Sequence, residues 1–306
     1  MEKWKERLNK RTGPWLFLSP YLVLTLIFFI YPFIYAIILA FYQTNGPKSW
    51  SFVGLENFAF VLADGDFHIA VWNTTIFALA SILVQLPLSL GMALLLNSKK
   101  DRLKGVFRLI LFSPYLVGQI FVGIIFSVIF MPRYGMFNRF LQEVTGWGLE
   151  KRWLENPNLV MPALIIAAMW MYVGFNMIYF LAALQNVDQN LEEAALIDGA
   201  NPWQLFWAVT FPAIKPVVLF VVVMSTIGSY QLFELPYALL QNAAGVAGYG
   251  PKDSGLTIVG YLYRTAFEAG DLGTGAAIGW LLAIIIFTIS FVQMKIGRGL
   301  ETESVL

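Results

Sequence analysis

Hydroxyl, amide and aromatic side chains recur on one face of two apolar segments, residues 160–183 and 216–240. The first segment places Tyr172, Asn176 and Tyr179 at intervals of four and three residues, which brings them to one side of a helix. Hydroxyl and amide groups hydrogen-bond to sugar hydroxyls, and aromatic rings cover the C–H faces of a sugar, so this set suits sugar binding. The same residue types also join helices within membranes, and helix packing stays open as the alternative. The second segment carries a corresponding set: Ser225, Ser229, Tyr230 and Glu234.

No residue pattern in the sequence supports catalysis. The chain has no cysteine, and its one histidine, His68, lies in a hydrophilic connection where a solvated role is expected. The glycine-rich residues 245–255 lack the G-x-x-x-x-G-K-[ST] spacing of a phosphate loop and predict an external loop. Zinc-binding spacings and paired carboxylates in an apolar setting are also missing from the sequence. We therefore expect neither an enzyme, a metal site nor a bound cofactor in this chain.

The composition is typical of an integral membrane protein. Hydrophobic residues make up 58% of the 306 residues and charged residues 13%, with a mean hydropathy of +0.67.

The apolar spans contain prolines, where bends are tolerated if neighbouring groups satisfy the freed backbone. These prolines lie within or near the spans: Pro20, Pro32, Pro87 and Pro114. No ionisable residue lies near the middle of a span, and Glu234 is expected near the outer end of the fifth, so no ion-coupling group is visible. At about 20 residues per crossing, the sequence predicts six transmembrane helices: residues 15–42, 71–97, 107–130, 160–183, 216–240 and 275–294.

The distribution of Lys and Arg predicts the orientation of the spans. Thirteen basic residues fall on the side of the two termini, against seven on the other side, so both termini are expected in the cytoplasm. The outer connection 131–158 is discordant because it carries four basic residues, although Glu143, Glu150 and Glu155 offset much of that charge. The first apolar stretch is too long for the core of a signal peptide, and we expect it to be retained. The net charge of +1 gives no basis for binding nucleic acid.

A polar insert, residues 192–216, separates the fourth and fifth spans. Glu192 and Glu193 favour the first turn of a helix. Gly199 offers the left-handed conformation that ends one, and Pro202 limits its continuation. The insert could dock another protein, or its aromatic residues could rest at the lipid headgroups. The second short helix is expected to carry an aromatic face: Trp203, Phe206, Trp207 and Phe211.

The insert resembles the E-A-A-x-x-D-G-A-x(9 or more)-P signature of ABC importer membrane subunits. The matching residues are Glu193, Ala194, Ala195, Asp198, Gly199, Ala200 and Pro212, with Pro216 closing the segment. Over most of the chain the pattern is similar to the carbohydrate-uptake class, of the maltose and glycerol-phosphate type. Shorter pieces support this resemblance in their order along the chain: Gly54–Phe58, Asn73–Thr74, Phe107–Arg108, Ser113–Pro114, Gly135, Asn138 and Leu141, and Leu181–Gln185.

The resemblance implies an all-α fold of the type I ABC importer, with six transmembrane helices and a cytoplasmic coupling helix. Residues 1–306 would form a single permease domain, with a core of about 71–294 and an N-terminal segment and first helix at 1–42. The chain would be the permease of an ATP-driven importer of a sugar, namely a di- or oligosaccharide or a related polyol or sugar derivative, coupled through Glu193–Pro216 to a separate ATPase. Alternatives are an importer of a non-sugar solute, or a membrane protein that docks an ATPase and conducts nothing.

The resemblance also implies partners in a bacterial or archaeal inner membrane. These are a second, homologous membrane subunit, two cytoplasmic ATPase subunits that hold ATP and Mg, and an extracytoplasmic sugar-binding protein. Glu193 would pair with a basic residue of the ATPase, and Gly199 would form a turn that no side chain should crowd. The substrate path would be lined by the fourth and fifth helices.

Overall fold

The computed structural model shows a mostly helical chain with a short β-hairpin. Lys48, Lys99 and Lys100, which entered the charge comparison, lie outside the described residues. The described residues are 2–44, 50–97, 102–146, 150–243, 245–246 and 248–302.

The elements are labelled in chain order, and several helices contain a π-helical turn. The first half has α1 (Glu2–Thr25, a π-turn at Leu26–Ile30, then Tyr31–Leu39), β1 (Tyr42–Thr44), β2 (Trp50–Phe52), α2 (Glu56–Ala63), α3 (Gly65–Ala80, a π-turn at Ser81–Gln85, then Leu86–Leu96), α4 (Arg102–Phe112, then a 3-10 turn at Ser113–Leu116), α5 (Gln119–Ile129) and α6 (Met136–Thr145). The second half has α7 (Pro157–Gln185), α8 (Gln189–Ile197), α9 (Pro202–Leu205, a π-turn at Phe206–Thr210, then Phe211–Tyr230), α10 (Glu234–Gln241), a 3-10 turn (Pro251–Asp253), α11 (Ile258–Tyr263, then a π-turn at Arg264–Glu268) and α12 (Leu272–Thr302).

Five helices of the described residues are long and apolar enough to cross a membrane: part of α1 (Gly13–Leu39), α3, α7, α9 and part of α12 (Leu272–Gly297). The third predicted span, 107–130, is instead a pair of helices, α4 and α5, bent by 98°, and the total becomes six when that pair counts as one span. Pro114 explains where the regular helix stops, because it has no N–H to donate and its ring crowds the carbonyl of Ile110. The Ser113 hydroxyl donates to that carbonyl at 2.9 Å.

The fifth predicted span, 216–240, is also interrupted. The α9 helix ends at Tyr230 and α10 begins at Glu234. In a continuous helix Pro236 would lose a hydrogen bond and clash with the carbonyl of Leu232, but in the first turn of α10 neither cost arises. The freed Leu232 carbonyl accepts a hydrogen bond from the Thr257 hydroxyl at 2.7 Å.

Among the described residues, three of the four π-turns end two residues before a proline, namely Pro32, Pro87 and Pro212. In each case the residue before the proline donates its N–H five residues back, as Leu86 does to Ser81. Widening the helix by one residue relieves the clash between the proline ring and the preceding turn. These spans therefore keep their helical path through a local widening.

The chain forms two compact units, Met1–Ala63 with Leu262–Leu281, and Asp64–Tyr261 with Leu282–Leu306. In the first unit the buried Asn57 amide donates to the carbonyls of Ala40 at 2.9 Å and Tyr42 at 3.0 Å. This ties the end of α1 and the β-hairpin to α2. The Gly54–Phe58 piece therefore has a packing role.

In the second unit, buried apolar residues of α5, α7 and α10 form one cluster and those of α3, α7 and α9 form another. A buried polar contact lies beside α6. Asn138 is fully buried, donates to the carbonyls of Met131 and Lys151, and accepts from the Trp153 indole at 2.7 Å. In α7, Gly174 packs so closely on α4 that an added Cβ would lie 1.7 Å from the Leu111 carbonyl oxygen. These contacts hold α4, α6 and α7 in place around the site described next.

Candidate binding cavity and docking segment

A cavity of about 370 Å³ lies within the second unit. Five of the seven residues predicted to form the substrate path line it, and they come from α7 and α9 as expected. This volume is at the small end of the range found for ligand sites. The five residues are Tyr172, Asn176, Tyr179, Ser225 and Ser229.

The other two predicted residues, Tyr230 and Glu234, do not line the cavity. The Tyr230 side chain is buried, and its hydroxyl lies 3.1 Å from the Thr75 hydroxyl. Glu234 is exposed and occupies the first position of α10. The helix break after Tyr230 separates it from the face of α9 that lines the cavity. The regular four-residue spacing up to Glu234 had suggested one continuous face, and Pro236 removes that continuity.

Eight further polar and aromatic side chains line the cavity and were not predicted. Four of them lie at helix irregularities, since Ser81 and Gln85 bound the π-turn of α3, and Tyr115 and Gln119 flank the bend between α4 and α5. A sequence signal existed for Gln85, because an amide inside an apolar span is costly to bury unless it is hydrogen-bonded. The remaining four are Phe77, Phe175, Phe220 and Gln231, and Gln231 lies at the break after α9.

Aromatic rings form a continuous chain along the cavity. Tyr115 stacks on Phe175 with ring centroids 3.9 Å apart and contacts Tyr172 at 5.9 Å. Phe175 meets Tyr179 edge to face at 5.2 Å, and Tyr179 contacts Phe220 at 5.8 Å. Such a wall offers π faces to the C–H groups of a ligand.

The cavity contains two buried amide side chains, those of Gln85 and Asn176. Gln85 and Asn176 are only 4% and 6% exposed, and their side-chain amides take part in no hydrogen bond found among the described residues. A buried polar group is costly unless it is hydrogen-bonded. None of the described residues that line the cavity is charged. The arrangement therefore suits water or a neutral, hydroxyl-rich ligand.

The insert between α7 and α9 has firm local boundaries. The Asp188 carboxylate accepts from the Asn190 N–H at 2.9 Å and begins α8. Gly199 ends the segment with φ of +83°, and Asn201 and Gln204 form a reciprocal capping box at 2.9 Å that begins α9. The result is a helix, a sharp turn and a second helix.

The α8 helix contains no buried residue. Glu193, Ala194, Asp198 and Gly199 are exposed, and large apolar side chains beside them are exposed as well, with Ile197 at 85%. An apolar helix surface of this kind is characteristic of a contact with another protein or with the membrane. Ala195 and Ala200 are half-buried, and Pro212 is exposed after the π-turn of α9.

The four predicted aromatics of the insert form one cluster at the start of α9. The ring centroids of Trp203 and Trp207 lie 5.7 Å apart, and those of Trp207 and Phe211 lie 5.0 Å apart. Phe206 contacts Trp207 at 5.1 Å. Trp203 remains 71% exposed, so this cluster has free surface for lipid headgroups or a partner.

Apolar helices of crossing length, a polar cavity within them and an exposed helical insert define the class: a multi-pass membrane protein suited to solute passage. Residues 85–301 match the family described as "Binding-protein-dependent transport system inner membrane component". The chain belongs to this family. It is accordingly a membrane component of a transport system and not an enzyme.

Similar proteins agree with this assignment over nearly the whole chain. The arabinooligosaccharides transport system permease protein of Bacillus subtilis is 37% identical, covering 96% of this chain and 91% of that protein. The lactose transport system permease protein of Rhizobium radiobacter is 33% identical, covering 93% of each. A chain of a bacterial alginate ABC transporter, solved in complex with an alginate pentasaccharide-bound periplasmic protein, has the same fold with a TM-score of 0.81 at 22% identity, covering 98% of this chain and 99% of that one.

Proposed function

We propose that this chain is the permease subunit of an ATP-driven importer of neutral sugars, such as di- or oligosaccharides. The observation that supports this most directly is the uncharged cavity lined by amides, hydroxyls and aromatic rings. Sugar hydroxyls both donate and accept hydrogen bonds, so they match amide and hydroxyl groups. Relatives named for arabinooligosaccharides and lactose point to the same substrate class.

The energy for uptake comes from a separate ATPase that docks on α8 and the turn after it. The exposed Glu193, Asp198 and Gly199 form the contact, with Glu193 pairing with a basic residue of the ATPase. Closure of two ATPase subunits on ATP and Mg moves α8 and, through it, the helices around the cavity. Because this chain has one such insert, a second, homologous membrane subunit supplies the other.

In the membrane the chain has six spans, with the bent pair α4–α5 counted as one and both termini in the cytoplasm of a bacterial or archaeal cell. It works as a single permease domain, and an extracytoplasmic sugar-binding protein delivers the substrate. Two of the four basic residues in the discordant connection 131–158 are ion-paired: Arg133 with Glu150 at 3.2 Å and Arg152 with Glu155 at 2.8 Å. The orientation rests on the larger number of basic residues on the side of the two termini.

The test is purification of the chain with its partners from the native membrane, followed by reconstitution into liposomes. Lactose and arabinotriose represent neutral sugars, and glycerol 3-phosphate and glutamate represent charged solutes. We expect ATP-dependent uptake of a neutral sugar. Uptake of only a charged solute would overturn the sugar assignment, and a docked ATPase without uptake of any solute would favour the non-conducting docking protein.

A further inference from the structure

We propose that the π-turn Ser81–Gln85 forms an additional wall of the sugar site, and that Gln85 determines specificity by hydrogen-bonding one sugar hydroxyl. The inference rests on the proposed function and extends the site from α7 and α9 to α3. It assigns a role to a side chain that neither the sequence pattern nor the docking segment explains.

Gln85 has the features of a group kept for a ligand. It is 4% exposed within α3, a 32-residue apolar helix. Its backbone carbonyl accepts from the Ser89 hydroxyl at 2.8 Å, whereas its side-chain amide has no hydrogen bond among the described residues and lines the cavity. A glutamine serving only to join helices would be paired with another helix.

The π-turn fixes where Gln85 lies. Pro87 cannot donate a hydrogen bond, and the Leu86 N–H reaches back to the Ser81 carbonyl, which widens the helix at this turn. The widened turn packs against both α7 and α9. π-Turns of this kind occur frequently at functional sites. The local cause is thus the proline, and the consequence is a polar turn held against the two helices of the predicted path.

An amide suits selective recognition because it offers both a donor and an acceptor to one hydroxyl. A site built to bond a hydroxyl discriminates against the analogue that lacks it, since the protein group is then left unpaired. For one neutral hydrogen bond the expected discrimination is about five- to tenfold.

The first experiment uses the absence of cysteine from the natural chain. Gln85→Cys, Asn176→Cys and Leu88→Cys are prepared in the reconstituted complex and treated with a charged methanethiosulfonate reagent, which reacts with the thiolate in contact with water. We expect Gln85→Cys and Asn176→Cys to react, and Leu88→Cys, half-exposed on the same helix but outside the cavity lining, to stay unmodified. Labelling of Asn176→Cys without Gln85→Cys would overturn this inference alone; labelling of neither would also remove the cavity from the proposed function.

The second experiment measures selectivity. Uptake of lactose, arabinotriose and their monodeoxy analogues is compared for wild type, Gln85→Met and Leu88→Met. We expect Gln85→Met to raise KM for the transported parent sugar about five- to tenfold, to leave KM for one monodeoxy analogue unchanged, and to preserve kcat. An equal change for every sugar, or none, would refute the role of Gln85 while sugar uptake by the wild type would still support the proposed function.

If Gln85→Met does not reach the membrane, Gln85→Asn replaces it, because the shorter amide keeps the polarity but withdraws from the ligand. The same loss of discrimination is expected, and unchanged selectivity of Gln85→Asn would overturn the inference.

Discussion

Gly199 offers the sharpest test of the docking segment, which is the insert of residues 192–216, because the structure separates the backbone role of Gly199 from its surface role. Its φ of +83° lies in the left-handed region, and an added Cβ would meet no atom within 4 Å. Gly146 is a matched control. It ends α6 with φ of +72°, is exposed, and also has open space around it.

The magnitude of the backbone effect follows from this geometry. An L-residue in the left-handed conformation costs about 1–2 kcal/mol, which is roughly a 5- to 30-fold change in a local folding equilibrium. An added Cβ causes no steric clash at Gly199 or Gly146. Substitution by alanine or aspartate should therefore cost the isolated chain a similar folding free energy at both positions. Any larger effect at Gly199 must arise from a partner that lies against it.

We therefore expect Gly199→Asp to abolish ATP-dependent sugar uptake while the chain still inserts in the membrane, and Gly146→Asp to retain most uptake. The assay is uptake by proteoliposomes, with the amount of co-purified ATPase measured in parallel. Asparagine tolerates the left-handed conformation, so Gly199→Asn separates backbone strain from crowding at the partner. If crowding is the cause, uptake is lost with Gly199→Asn as well as with Gly199→Ala.

Two results would refute this reasoning. Normal uptake with Gly199→Asp would exclude the turn as a docking contact. Equal loss with Gly146→Asp and Gly199→Asp would show that backbone strain alone, and not a partner, accounts for the effect.

Other variants test the docking charge and the packing. Glu193→Ala should weaken ATPase retention by at least tenfold in a quantitative pull-down, since losing one partner of a partly buried ion pair costs about 2–5 kcal/mol. The control is Glu143→Ala, on the exposed face of α6, and an equal loss of ATPase with this variant would contradict the prediction. Gly174→Ala should lower the unfolding temperature, because its Cβ would collide with a backbone carbonyl of α4, whereas Gly91→Ala should leave it unchanged because its Cβ would meet nothing within 4 Å. Equal unfolding temperatures for the two variants would argue against the close contact between α4 and α7. Asn138→Leu should also lower the unfolding temperature, because the buried Trp153 indole N–H and two carbonyls lose their hydrogen-bond partner, and each unsatisfied group costs about 1–3 kcal/mol. An unfolding temperature equal to that of the wild type would show that water or rearrangement replaces these hydrogen bonds.

Sequence reasoning was most successful where local signals act alone. In the insert, a helix ends before Gly199 and another begins at Pro202, at the predicted positions, because caps and left-handed glycines depend on neighbouring residues only. Three of the apolar spans (15–42, 160–183 and 275–294) were placed within three residues at each end, since length and hydropathy define them. The second span begins at Gly65 instead of 71, and the fifth runs from Pro202 to Tyr230 instead of 216–240.

The breaks in the third and fifth spans could not be placed from hydropathy. Pro114 was recognised, but a proline within a span can produce a bend, a π-turn or an interruption, and neighbouring groups select among them. At Pro114 and Pro236 the carbonyl four residues earlier is satisfied by the hydroxyl of Ser113 or Thr257. The Thr257 contact joins residues distant in sequence, so the position of the break depends on tertiary structure.

The same limit explains the cavity. The spacing of Tyr172, Asn176 and Tyr179 identified one wall, because a regular helix keeps its period. Gln119 and Gln231 escaped because they lie beside breaks, where helical spacing no longer indicates which side chains share a face.

The helix irregularities and the unpaired amides have one physical explanation. Irregular backbone inside apolar spans is tolerated only where protein or a water-filled cavity surrounds it, and a buried amide without a partner is unfavourable for folding. The bend between α4 and α5, the break after α9 and the π-turn of α3 all contribute residues to the same cavity. A cavity that served only as a packing defect would be lined by apolar groups, which can stay dry. This one instead gathers uncharged polar groups from three irregular segments, as expected if it binds and releases a neutral, hydroxyl-rich solute whose passage is driven by a partner.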